Sequence, residues 1–185
     1  SKPDFDTSVK EYEAFEKVFI DEGIMTKHFP PNGKVTIDSI YCRDAAIATN
    51  FGIILCNMGK SGRINEPKTQ ELEYIKQGIP ILGCIETPGT LEGGDVAWID
   101  KNTLAVGHTY RTNEEGIKQL KELLNPKGIE VIVARLPHYK GVDDVFHLMS
   151  ILSPVAKDLA VVYSPLMPIQ FRNELIDRGF KLVEV

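Results

Sequence analysis

Several marks of specialised surfaces are missing from this chain. It holds only three cysteines, Cys42, Cys56 and Cys84, each in or beside an apolar strand pattern. An odd count in such settings reads as buried free thiols in a reducing cytoplasm, not as a disulfide framework. There is no basic run with interleaved aromatics, and a net charge of −5 with pI near 5.4 argues against a general nucleic-acid surface. No apolar stretch approaches the roughly 20 residues of a membrane-spanning helix. The opening SKPDFDTSVKEYEAF has neither the charged nor the apolar region of a signal peptide. MGKSG contains Gly-Lys-Ser, but Ile54 stands where a phosphate loop needs glycine. His108 and His138 lack a second ligand at metal spacing, and no Gly-x-Ser-x-Gly elbow occurs. No metal and no cofactor are expected.

What is present suits one globular domain, or an incomplete larger one, with 43% apolar and 25% charged residues. A unit of strand, turn, strand, helix and strand occurs three times. The first copy starts at Asp44 (DAAIAT, a turn at Asn50–Gly52, GIILCNM), with a helix near Pro67–Gln77 and a strand at Pro80–Glu86. The second starts at Glu92 (LEGGDVAWID, TLAVGHT), with a helix over about Asn113–Leu124 and EVIVARL after it. The third opens at His147 (HLMSILS), turns near Pro154–Asp158, and ends in a helix near Ile169–Arg178 and FKLVEV. Before them, apolar residues at Val9, Tyr12, Phe15, Val18 and Phe19 predict a helix over Asp6–Glu22, and GIMTKHF reads as a strand. Repeats of this length stack, because one unit cannot bury its own apolar face. Asp44, Glu92 and His147 are therefore expected to converge. The array reads as half a unit plus three whole ones, without a terminal cap, so the chain reads as a fragment whose exposed edge another unit or a homodimer partner covers.

Each polar position has an ordinary reading beside the functional one. Glu92, in L-E-G-G-D, is either an acid at a strand mouth where paired glycines allow close ligand approach, or part of a solvated Gly-rich turn. His147, after Asp143, Asp144, Val145 and Phe146, is either a proton-transfer group or a satisfied core histidine. Asp44 and Asp38 could grip a guanidinium together, or Asp44 could simply pair with Arg43. Arg63 and Arg111 hold matching places after the second strands of their units; arginines there either take a substrate carboxylate or lie on the surface.

TIDSIYCRDAAIAT (Thr36–Thr49), the Gly-Arg of SGRINE, LEGGDV, GHTYRTNEEGI, LPHYKGVDDVFHLMS and SPVAKDLAVVYSP occur in the order and spacing of the dimethylarginine dimethylaminohydrolase family. The chain thereby resembles the guanidine-modifying (pentein) superfamily, with arginine deiminases and amidinotransferases, over nearly its whole length. That resemblance implies an α/β fold, a five-bladed propeller of ββαβ units around a pseudo-fivefold axis, here incomplete. Residues 1–33 would be the remainder of the first blade, 34–87 the second, 88–139 the third and 140–185 the fourth, with the fifth absent.

It further implies chemistry in which a cysteine attacks the guanidinium carbon, a histidine handles protons and carboxylates hold the cation, giving citrulline from arginine or a methylarginine. By matching motifs, Glu92 is the acid at the guanidinium and His147 the general acid/base. Asp38 and Asp44 anchor guanidinium or amine groups, and Arg63 and Arg111 the substrate carboxylate. The family nucleophile belongs to a last blade that this chain does not reach, so none of its three cysteines takes that role. Arg43 stands where dimethylarginine enzymes usually carry an acid and resembles the Thr-Arg-Asp of arginine deiminases, which leaves the substrate open. The alternatives are an amidinotransferase and a non-catalytic binding module on the same scaffold, as in the ribosome anti-association factor.

Overall fold

The computed structural model describes residues 3–142 and 146–185; Asp143, Asp144 and Val145, read above as leading into His147, lie outside them. The chain forms two compact units, Ser1–Pro31 and Asn32–Val185. In the first unit a helix, α1 (Phe5–Asp21), is capped by Asp4, whose carboxylate accepts from Thr7 N, and none of its residues is buried. The strand expected over GIMTKHF is not formed. Residues 24–31 carry no strand assignment, and Thr26 and His28 reach back to Glu16 on α1, at 2.6 and 2.9 Å.

The second unit contains three three-stranded sheets of one topology. In the first, β1 (Ala46–Thr49) pairs antiparallel with β2 (Gly52–Leu55), and α2 (Glu66–Lys76) returns the chain to β3 (Ile81–Cys84), parallel to β2. β4 (Val96–Asp100), β5 (Thr103–His108), α3 (Glu114–Leu124) and β6 (Glu130–Arg135) repeat the pattern. So do β7 (Leu152–Ala156), β8 (Leu159–Val162), α4 (Ile169–Asp177) and β9 (Lys181–Glu184). A left-handed glycine follows each crossover helix, at Gly78, Gly128 and Gly179, and lets the chain turn out of the last helical turn without a Cβ clash.

The middle sheet is buried on both faces, which is why its strands are so apolar. Along β4 and β5, Val96, Leu104 and Val106 enter a core with Ile54, Leu91, Leu120 and Leu124. Their neighbours Ala97, Ile99 and Ala105 enter a second core with Leu148, Leu152, Phe171 and Leu175. Successive strand residues point to opposite faces, so one sheet supplies both. α3 thus packs between the first and second sheets, and α4 between the second and third. Trp98 Nε1 adds a bond to Ala48 O at 3.1 Å, tying the first two sheets together.

Boundaries differ from the sequence reading in all three copies: Asp44–Ala45 and Gly93–Asp95 belong to 3-10 turns, so β1 and β4 begin only at Ala46 and Val96. HLMSILS is not one strand: Leu148–Ser150 form a 3-10 turn and β7 begins at Leu152. The turn is held by a bond from His147 N to Ser150 Oγ and by Asp95 Oδ1, which accepts from Leu148 N. Pro154 lies inside β7, opposite Ala160, and the turn falls later, at Lys157–Asp158. A proline is tolerated there because β7 is an edge strand of its sheet.

Candidate active site

Each of the three sheets is preceded by a short 3-10 turn: Cys42–Ala45, Gly93–Asp95 and Leu148–Ser150. Asp44 lies in the first, Glu92 is the N-cap of the second and His147 the N-cap of the third. These turns meet. One donor atom each from Asp44, Glu92 and His147 lie within 4.8 Å of one another. The glycines of LEGGDV make this approach possible: a Cβ on Gly93 would come within 2.1 Å of Arg43 O. On Gly94 it would lie 2.8 Å from Asp44 Oδ1 and 2.9 Å from the His147 ring.

Glu92 is fully buried. Its Oε1 accepts from Lys60 N at 3.0 Å and from Arg111 Nη1 at 3.4 Å. Its Oε2 faces His147 Nε2 at 3.4 Å and has no hydrogen-bond partner among the described residues. A buried carboxylate oxygen left unpaired in folded protein is costly, and it is the kind of atom that awaits a donor from a ligand.

His147 Nδ1 lies 3.2 Å from Asp95 Oδ1, within ion-pair reach but off the angle of a good hydrogen bond. Asp95 is itself fixed by the hydroxyls of Thr109 and Thr112, at 2.8 and 2.7 Å. Burial alone would lower the His147 pKa, but the Asp95 contact and the charges of Asp95, Asp44 and Glu92 outweigh it and hold it above the ordinary histidine value. The sequence reading passes over Asp95 as a site residue; its signal is the second acid of L-E-G-G-D.

Of the other expected residues, Asp38 is half-exposed and bonded to Lys60 Nζ at 2.6 Å, a contact that holds its carboxyl below the usual range. Arg111 stands beside Glu92 with its side chain 19% exposed. Arg63, expected at the substrate carboxylate, has a side chain only 5% exposed, and it donates to Asp44 at 2.7 Å, to both oxygens of Glu66, and to the carbonyls of Asp38 and Tyr41. It is turned inward and committed to Asp44 and Glu66. The local Arg43–Asp44 pair does not form either, because Arg43 donates to Val96 O across to the second sheet. The expectation of buried thiols holds for Cys56 alone, since Cys42 and Cys84 are exposed. The Cys56 thiol is pushed up by burial and by Asp44 and Glu92, and partial desolvation raises Cys84. Neither is poised as a thiolate.

Two carboxylates and an imidazole around a small space suit a flat cation with several N–H donors. A divalent ion would accept the same Asp44, Glu92 and His147 donors.

By its relatives, the chain is a member of the guanidine-modifying pentein superfamily. A family profile described as N,N dimethylarginine dimethylhydrolase, eukaryotic, matches residues 4–185, and the chain belongs to that family. It is 26% identical over 169 residues to the N(G),N(G)-dimethylarginine dimethylaminohydrolase of Streptomyces coelicolor, covering 89% of this chain and 60% of that protein. The chain therefore spans less than two thirds of that relative's length. Among solved structures, a mutant of the dimethylarginine dimethylaminohydrolase of Pseudomonas aeruginosa complexed with citrulline superposes with a TM-score of 0.77 at 21% identity, over 100% of this chain and 83% of that one. The product-bound N-terminal domain of ArgZ, an arginine dihydrolase of cyanobacteria, gives 0.81 at 16% identity, over 97% and 64%. No helix among the described residues is long and apolar enough to cross a membrane.

Proposed function

We propose that the protein hydrolyses the guanidino C–N bond of arginine or a methylarginine, releasing citrulline, and that this chain carries the cation-holding part of the site. The unpaired, buried Oε2 of Glu92 beside His147 is the observation that supports it most. Glu92 and Asp44 hold the guanidinium, whose N–H groups supply the donors that Glu92 Oε2 lacks. His147, whose protonated form Asp95 favours, passes a proton to the departing amine, without which a guanidinium carbon is a poor electrophile. The sulfur nucleophile comes from sequence outside these residues, since neither Cys56 nor Cys84 has the setting for it and the resemblance places none at Cys42. The five-bladed propeller, with 34–87, 88–139 and 140–185 as successive blades, is part of the same reading. So are a cytoplasmic location, a small guanidino compound as the partner in place of nucleic acid or membrane, and a homodimer.

The test uses the full-length protein. Calorimetric titration with L-arginine, N-methylarginine and L-citrulline should show binding of at least one guanidino compound, with citrulline as the product of turnover. Glu92→Gln should weaken that binding about 10- to 100-fold, the range expected for losing a charge-assisted hydrogen bond. A folded protein that binds and converts none of these compounds, or a Glu92→Gln variant that binds unchanged, refutes the proposal.

A further inference from the structure

Thr112 is fully buried, and its hydroxyl is spent on the two acids of L-E-G-G-D. We propose that Thr112, with Thr109, is a positioning residue of the site: its hydroxyl ties the Glu92 backbone to the Asp95 carboxylate and so sets how these acids flank the His147 ring. This rests on the guanidino reading above and adds to it residues that act through Glu92 and Asp95.

The directions of these bonds are fixed by chemistry. Glu92 N can only donate, so Thr112 Oγ1 accepts from it, at 3.2 Å, and turns its own proton to Asp95 Oδ2, at 2.7 Å. Thr109 Oγ1 likewise accepts from Arg111 N and Thr112 N, at 3.0 and 3.1 Å, and gives its proton to the same Asp95 oxygen, at 2.8 Å. Two hydroxyls thus occupy Oδ2. Oδ1 accepts from Leu148 N at 3.1 Å and stands 3.2 Å from His147 Nδ1. Pinned at both oxygens, the carboxylate keeps one edge toward the imidazole.

The hydroxyls are not needed to close the turns they join. Asp95 N bonds to Glu92 O at 2.9 Å, and Thr109 N to Thr112 O at 3.0 Å, so each turn has its own backbone link. What Thr112 adds is a cross-link between the two ends of the Glu92–Asp95 turn, from the backbone of one acid to the side chain of the other. Glu92 Oε2 faces His147 Nε2 at 3.4 Å, while Asp95 Oδ1 faces Nδ1. One buried hydroxyl therefore governs the spacing of both acids about the ring. A methyl in its place would deprive Glu92 N and Asp95 Oδ2 of that partner together.

The experiment compares kcat, KM and Tm of the full-length protein and its Thr112→Val, Thr112→Ser and Thr109→Val variants on L-arginine, or the methylarginine it prefers. Valine keeps the shape of threonine and removes the hydroxyl; serine keeps the hydroxyl. The expected result for Thr112→Val is a fall in kcat of about tenfold or more with KM within about threefold, most of it recovered in Thr112→Ser. A smaller fall in kcat, even with a lower Tm, would make Thr112 a structural residue only and overturn the inference. So would a loss carried equally or mainly by KM, or an equal loss in Thr112→Ser. Should Thr112→Val fail to fold, Thr109→Val carries the test, with a fall in kcat of about threefold or more expected and a smaller one overturning the inference. A wild-type protein inert toward every guanidino compound defeats the guanidino reading, and the inference with it.

Discussion

Replacing Arg63 by methionine separates the two roles this arginine could have. Arg63, Glu66 and Asp44 have side chains 5%, 1% and 13% exposed, so their interaction is little screened by solvent. Burial alone would favour a neutral guanidinium; the bonds to Glu66 and Asp44 and their charges override it. Methionine fills a similar volume but leaves Glu66 as a carboxylate with no cation in the interior. Breaking a buried pair in this way costs about 3–5 kcal/mol. For a protein of this size each kcal/mol lowers Tm by about 2–4 °C, so Arg63→Met should melt roughly 6–20 °C lower. Chemical denaturation should show a lower midpoint with an unchanged slope, as expected for lost stability and not altered compactness. Adding Glu66→Gln should then restore part of the loss, whereas Glu66→Gln alone should destabilise, because it takes one of two buried carboxylates from the cation and leaves it Asp44. A Tm within about 2 °C of wild type, accompanied by a large rise in KM, would mean that Arg63 serves the substrate and would refute the structural assignment.

Asp95→Asn should move the alkaline limb of the kcat–pH profile to lower pH. The raised His147 pKa extends the imidazolium to higher pH, its stabilising contribution being complete below the ordinary histidine value and lost as pH rises through the raised one; an NMR titration of His147 that stays put in the variant would contradict this. Gly93→Ala, with its Cβ 2.1 Å from Arg43 O, should cost about 1–3 kcal/mol or more, since the obstacle is backbone. Gly62→Ala, which meets nothing within 4 Å, should stay within about 0.5 kcal/mol in the same unfolding assay.

The threefold repetition was legible because apolar runs of strand length, Asn50–Gly52 and Lys101–Asn102 turns, and helical patches alternate at similar spacing. The approach of Asp44, Glu92 and His147 followed from that repetition, not from any local motif. What escaped was the part decided by contacts far along the chain. The 3-10 turn at Leu148–Ser150 depends on Asp95 Oδ1 accepting from Leu148 N, a partner 53 residues away, and no pattern within HLMSILS encodes it. Arg63 looks like Arg111 in sequence, yet Glu66 at i+3 and Asp44 from another turn draw it inward. GIMTKHF has strand rhythm, but a strand needs a neighbour, and Thr26 and His28 found Glu16 instead. Asp95 and Thr112 were hidden by being common residues in polar turns.

Each sheet is drawn from one contiguous stretch, 46–84, 96–135 or 152–184, but its apolar faces are covered by its neighbours. No single stretch holds the cluster, since its acid, acid and imidazole arrive from the turns that precede three different sheets. The cluster therefore exists only when all three sheets are docked, and loosened docking would scatter it while the secondary structure still looked whole.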